Sequence, residues 1–244
     1  MINIRDQFIN KVKAIASDSV GSFVILQLGV QQHKQYANSH PNAKILVGAG
    51  GPGTPGNRPV KYAPTHDRIQ ATLTTNKNMV LRLFLAELVQ TWFDFLADIY
   101  EKALADNLNG VQSYTIPAAK TKVNFSLSGS LLTQQLKETA CKDFDFLPAK
   151  EKLKIIKDTL SKNLSDQAAQ LDTIRTNIKV RNILQHGNGI VSAEDLSELG
   201  SSSIKEDHGN SIKSVTAGQK ISRTPFDIEN LVDAMVDVAC ALIP

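Results

Sequence analysis

The chain has 244 residues and 26.6 kDa, with 27 Lys and Arg against 24 Asp and Glu, a formal net charge of +3 and a pI near 8.8. A surplus that small does not mark a dedicated duplex-binding protein, which concentrates far more positive charge. At 42% hydrophobic and 21% charged residues, the composition is that of a folded domain rather than a disordered chain. The two cysteines, Cys141 and Cys240, cannot build a disulfide framework or a four-ligand zinc site, and read as ordinary buried residues in a reducing compartment.

The first elements read as helical. Ile4, Phe8, Ile9, Val12 and Ile15 recur at three- and four-residue spacing, placing them on one helix face. The apolar run Phe23 to Val30 fits a buried helix or a strand equally well. Between Gly48 and Pro64, nine of 17 residues are Gly or Pro, which excludes helix and central strand there. Residues 38–77 are therefore expected to form a long loop, with local strand at Lys44–Val47.

From Asn78 to about Asn107 the helical pattern is strong. Leu81, Phe84, Leu85, Leu88, Trp92, Phe95, Leu96 and Ile99 make one wide apolar stripe, with Asn78 as cap and Asn109-Gly110 as stop. Val123, Phe125 and Leu127 alternate as in a short strand. Helices are then expected from Ser130 to about Cys141, from Pro148 to about Lys162, and from Asn163–Asp166 to about His186, where Gly187-Asn188-Gly189 ends the run. Residues 188–224 are polar and mixed, with turn signals at His208-Gly209-Asn210 and Ala217-Gly218. A last helix, opened by Pro225 and Asp227, carries Ile228, Leu231, Val232, Met235, Val238, Ala239 and Leu242. The expected class is all-α: a helical bundle with an N-terminal helical extension, a long Gly/Pro-rich loop and a short hairpin.

No membrane segment is expected. The most apolar stretch, Met79 to Tyr100, contains Arg82, Glu87, Gln90, Asp94 and Asp98, whereas a span needs about 20 residues without such charges. The N-terminus mixes acidic and basic residues among its apolar ones, unlike a secretion signal, so the expected location is the cytoplasm.

Four groupings bear on chemistry. Gly48 to Gly53 matches G-x-G-x-x-G, but Pro55, Gly56, Pro59 and Pro64 forbid the helix a dinucleotide site needs, so no cofactor is expected. His33, His40, His66, His186 and His208 show no i, i+3 or i, i+4 pair, so no metal is expected. The basic run Lys150, Lys152, Lys154, Lys157, Lys162 does not share one face and reads as a solvated helix, or as phosphate contacts beside a site elsewhere.

The fourth is Arg181-Asn182-Ile183-Leu184-Gln185-His186, closing a helix ahead of Gly187-Asn188-Gly189-Ile190-Val191. Arg181 and His186 diverge by about 140° around the axis, while Asn182 and His186 share a face. A guanidinium is a permanent, planar cation suited to phosphate, and an imidazole moves protons near neutral pH. Together they suit metal-free phosphodiester cleavage. The plainer reading is a surface arginine and a histidine at the negative end of the helix dipole.

This segment, Ile178 to Val191, resembles the R-x4-6-H signature of the HEPN superfamily, with a polar residue, Asn182, directly after the arginine. Its texture is similar to HEPN proteins of bacterial defence, abortive-infection and toxin systems. The helix LPAKEKLKIIKDTL and the Gly218-to-Ser222 segment before the last helix fit the same pattern. The resemblance covers roughly residues 78–244, a HEPN-like helical domain, leaving residues 1–77 as an N-terminal helical extension with its loop.

The resemblance implies a homodimeric, metal-independent endoribonuclease. Arg181 would hold the scissile phosphate, His186 would act as acid or base, and Asn182 would orient them. Lys154, Lys157, Lys179 and Asn188 would contact RNA, and an antitoxin or defence-system partner protein is implied. The alternative is a non-catalytic HEPN-like module that binds nucleotide, RNA or protein at the same place. Asn188 stands where some antitoxin-regulated members carry a modifiable tyrosine, so that control is not implied.

Overall fold

In the computed structural model the described residues are 1–39, 66–116 and 129–244. They form seven α-helices: α1 (Ile2–Ser39), α2 (His66–Leu108), α3 (Gly129–Asp145), α4 (Ala149–Thr159), α5 (Ala168–His186), α6 (Ala193–Leu199) and α7 (Pro225–Leu242). One antiparallel hairpin, β1 (Ile204–Asp207) with β2 (Ile212–Val215), pairs Ile204 with Val215 and Asp207 with Ile212. The all-α expectation holds at this level.

The core is built where the sequence stripes predicted. Leu81, Leu85, Leu88, Trp92, Phe95, Leu96 and Ile99 of α2 are buried against Phe8, Val12 and Ile15 of α1 and Ile228, Leu231, Met235 and Val238 of α7. Phe8 stacks on Phe95 with centroids 4.2 Å apart and tilts against Trp92 at 5.8 Å. Each such side chain removed from water contributes about 1.5–3 kcal/mol, so this three-helix contact dominates the fold. α5 lies against both α2 and α7, which fixes the position of its C-terminal end.

Two expectations are corrected. α2 begins at His66, so residues 66–77 are helical rather than loop, and Asn78 lies inside the helix rather than capping it. No Gly or Pro interrupts residues 66–77, so a polar stretch without apolar period extends a helix already nucleated by the apolar stripe beyond it. Positions 77 and 78 both lie within α2, and α1 contributes Phe8, Val12 and Ile15 to the same hydrophobic core as the other helices. Phe23 to Val30, left open between helix and strand, is helical within α1. The Gly/Pro-rich segment, Lys44–Val47 and Val123–Leu127 lie outside the described residues.

The stretch 188–224 holds more order than its polarity suggested. Ser192 opens α6 with a capping box, its Oγ accepting from the Asp195 N–H at 3.0 Å while Asp195 accepts from the Ser192 N–H at 2.9 Å. The strands turn at Asp207-His208-Gly209-Asn210, where Gly209 takes φ +77°. The hairpin is anchored by Glu206, fully buried, which accepts from the Ser222 N–H and Oγ at 2.5 and 3.1 Å. Thr224 caps α7 in a second capping box with Asp227.

Three side chains also depart from expectation. Lys152, read as part of a solvated run, is 7% exposed and sits 5.1 Å over the Phe93 ring and 5.5 Å over Phe144, where the aromatic faces take its charge. Cys240 is exposed and Cys141 half-buried, and both are free thiols. Among the described residues, the helix long and apolar enough to cross a membrane, by length and composition, is α1 and not the Met79–Tyr100 stretch; it has an 18-residue window of mean hydropathy 1.2, of which 11% is buried. Phe8, Val12, Ile15 and Ser19 of that helix are buried inside the protein.

Candidate functional site

The site is the C-terminal end of α5 and the turn that follows it. Ile174, Asn177, Val180, Ile183 and Leu184 form the buried face of this helix. Asn182 and His186 fall on the opposite side and are exposed. His186 is the last helical residue, where the helix dipole favours a cation. Arg181, between the two faces, is half-buried. Its Nη1 donates to Asn182 Oδ1 at 3.1 Å, while its Nε is buried without a hydrogen-bond partner. The guanidinium is therefore held by its neighbour on the helix and by no carboxylate among the described residues, so its charge is not neutralised inside the fold.

The turn is rigidly built. Gly187 and Gly189 N–H groups both donate to the Ile183 carbonyl, at 2.9 and 3.1 Å, closing the helix end. Asn188 and Gly189 take φ +52° and +79°, a reversal that glycine accepts without strain and asparagine tolerates best among other residues. The segment leaving the turn is then clamped. Ile221 N donates to the Gly189 carbonyl at 2.7 Å, Val191 N to Gln219 at 3.0 Å, and Gly218 N to Val191 at 2.8 Å. The Gly218-to-Ser222 segment thus pairs with the Gly-Asn-Gly-Ile-Val turn, which fixes where the α5 end points.

The other proposed RNA contacts separate into different roles. Lys179 turns to α6, where its Nζ bridges Asp195 at 2.8 Å and Glu198 at 2.7 Å. Partial burial works against its charge, but the hydrogen bonds to these carboxylates outweigh that and raise it above the ordinary lysine value. Its charge is already engaged within the protein. Asn188 is exposed on the turn. Lys154 is exposed and Lys157 half-exposed on α4, and among the described residues neither has an ion-pair partner or a bond to the Arg181 group. Arg181, hydrogen-bonded to Asn182, and His186 lie in the last turns of α5 and Asn188 in the turn that follows, while Lys154 and Lys157 lie on a separate helix.

One residue was not singled out by sequence reasoning. Arg82, from α2, reaches the same turn: a Cβ placed on Gly189 would lie 3.4 Å from its Nη2. Its Nε is buried and has no hydrogen-bond partner. The signal was present as an arginine interrupting the most apolar stretch of the chain, but it read only as an argument against a membrane span. A second guanidinium thus stands against the turn that follows His186.

No group of three His, Cys, Asp or Glu side chains able to share a metal ion occurs among the described residues. The site consists of arginine, amide and imidazole, and can bind an oxyanion and exchange protons with it. No family model, curated protein or solved structure compared with this chain matches it.

Proposed function

We propose that the chain is a HEPN-type, metal-independent endoribonuclease that acts as a cytoplasmic homodimer in anti-phage defence or as a toxin. The observation that carries this reading is the α5 end: an exposed imidazole and amide beside a guanidinium that no internal carboxylate neutralises. Arg175 and Arg223, by contrast, are paired with Asp172 and Asp227.

In the proposed reaction the ribose 2′-oxygen loses its proton and bonds to phosphorus, the bond from phosphorus to the 5′-oxygen breaks, and that oxygen takes a proton. The products are a 2′,3′-cyclic phosphate and a free 5′-hydroxyl. His186 serves as base or acid, and in the dimer two copies divide the two proton transfers. Arg181 holds the phosphate and answers the charge that develops on its oxygens, with the neighbouring Asn182 accepting a hydrogen bond from the guanidinium. Arg82 adds positive charge beside the turn.

The test is cleavage of an RNA oligonucleotide carrying one 2′-deoxyribose, in EDTA. The reading expects cuts everywhere the wild-type enzyme makes them on the all-ribose strand except at the deoxy position. Equal cleavage at that position would show that the 2′-hydroxyl is not the nucleophile.

A further inference from the structure

The second half of α1 carries an apolar surface that the α5 site does not use. Residues 20–30 include no charged side chain, and none of the eleven is buried. Val24, Ile25 and Leu28 are 46%, 70% and 52% exposed. Earlier in the same helix Phe8, Val12, Ile15 and Ser19 recur at four- and three-residue steps, are buried, and seat α1 along α2. A second seam with the same alternation lies on the far side. Asp18, Gly21, Ile25, Leu28, Gln32 and Gln35 stand three and four residues apart in turn, and all six are exposed. That is the heptad spacing of a helix that pairs with another helix. A Cβ at Gly21 or Gly29 would meet nothing within 4 Å, so the chain's own packing does not call for glycine in this helix interior.

Length, charge and symmetry name the occupant. Eleven residues rise about 16 Å, half of a hydrocarbon core, so this stretch does not span a bilayer. No Lys or Arg lies within it to meet lipid headgroups. The seam is complementary to itself when run antiparallel. Ile25 then faces the partner's Leu28, twice by symmetry, and Gly21 faces the partner's Gln32. Asp18 faces the partner's Gln35, where a parallel pairing would set it against a second aspartate. The surface also sits at the same end of the molecule as the α5 turn. Phe23 and Gln27 share a cleft with Ser222, and Ile221 beside it donates to the Gly189 carbonyl.

We propose that α1 packs antiparallel on α1 of a second copy of this chain through Gly21, Ile25 and Leu28, with the polar residues of the seam setting the register. α1 and α2 of the two copies then form one four-helix bundle. The proposal deepens the homodimer named above and rests on that reading, but it concerns association alone, so mass and RNA cleavage test the two separately.

The experiment is the molar mass of the full chain by light scattering over a dilution series, read beside RNA cleavage in EDTA. The wild-type chain is expected at twice its 26.6 kDa. Ile25→Glu/Leu28→Glu should weaken the dimer by at least about tenfold, the loss of a central anchor. Val111→Glu, at a position 72% exposed beyond the end of α2, should leave it unchanged. If the glutamate pair fails to fold by circular dichroism, Ile25→Gln/Leu28→Gln decides by the same mass. Ile25→Lys/Leu28→Glu sets opposite charges face to face in the antiparallel pairing and should recover the dimer. A dimer that leaves RNA intact supports this surface and sinks the nuclease reading. A monomeric wild type, whether it cuts RNA or sediments with phosphatidylcholine–phosphatidylglycerol vesicles, overturns the interface. So does a dimer indifferent to the glutamate pair, or one that the lysine–glutamate pair does not recover.

Discussion

Arg181, half-buried, and Arg223, buried, each have a buried, unpartnered Nε, yet their surroundings are opposite. Arg223 is 3% exposed, its Nη1 donating to the Lys205 carbonyl at 3.2 Å and lying 3.5 Å from Asp227. Burial pushes its pKa down, and the nearby Asp227 and Glu206 oppose that shift. Asp227 in turn accepts from the Asp207 and Thr224 N–H groups, so strand, cap and helix close into one network. Arg181 has only Asn182. The first arginine holds the hairpin onto α7, while the second has no charge partner among the described residues. Charge that the fold consumes stabilises it, and charge that the fold leaves available is where chemistry is to be sought.

Removing Arg181 or His186 breaks this contrast most severely. Arg181→Ala is expected to lower RNA cleavage by about 10²–10³-fold, the cost of losing one charged group that stabilises the transition state. It should leave the denaturant midpoint nearly unchanged, because no carboxylate depends on it. Asp227→Ala should do the reverse. It strips Arg223 of its ion pair and α7 of its capping box, costing about 3–5 kcal/mol in urea unfolding, while cleavage per folded molecule stays near the wild-type rate.

Smaller changes sharpen the comparison. Arg82→Leu is expected to weaken RNA binding and reduce its salt dependence by about one counterion, read from the slope of affinity against salt. Gly189→Ala places a Cβ 3.4 Å from Arg82 Nη2, Leu184 Cδ2 and the Ile221 carbonyl at φ +79°, and should cost about 1 kcal/mol of stability by thermal unfolding. Smallest is the Lys179–Asp195 pair. Partial burial pushes Asp195 up, but hydrogen bonds from Lys179 and Ser192 outweigh it and hold Asp195 below the ordinary aspartate value of 3.8. A carboxylate lowered in the folded state contributes stability that is present above its unfolded value and lost as pH falls through the folded one. Asp195→Asn should therefore flatten the loss of stability below about pH 4, by less than about 1 kcal/mol.

The sequence spoke most clearly where burial was periodic. The stripes of α2 and α7 lie in the core as their spacing implied, and the stops at Gly110 and Gly187 stand within two residues of helix ends. It spoke least where order comes from hydrogen bonds rather than apolar faces. Ile204-Lys-Glu-Asp and Ile212-Lys-Ser-Val are held by a buried glutamate that reaches Ser222, sixteen residues away, and no local pattern announces such a bond. Residues 66–77 continue a helix whose cause lies downstream of them.

At the site, Arg181, Asn182 and His186 were legible because one helix carries them all. Arg82 was not, because its partner turn is more than a hundred residues away. Lys179, an RNA contact by resemblance, carries no local sign that α6 brings Asp195 and Glu198 beside it.

The most direct measurement is cleavage of RNA in EDTA by the wild-type chain and by His186→Ala, side by side, with folding verified by circular dichroism. The account predicts fragments ending in a 2′,3′-cyclic phosphate from the wild type and none from the variant. A wild-type chain that leaves RNA intact, or a variant that cuts it at the wild-type rate, would contradict it.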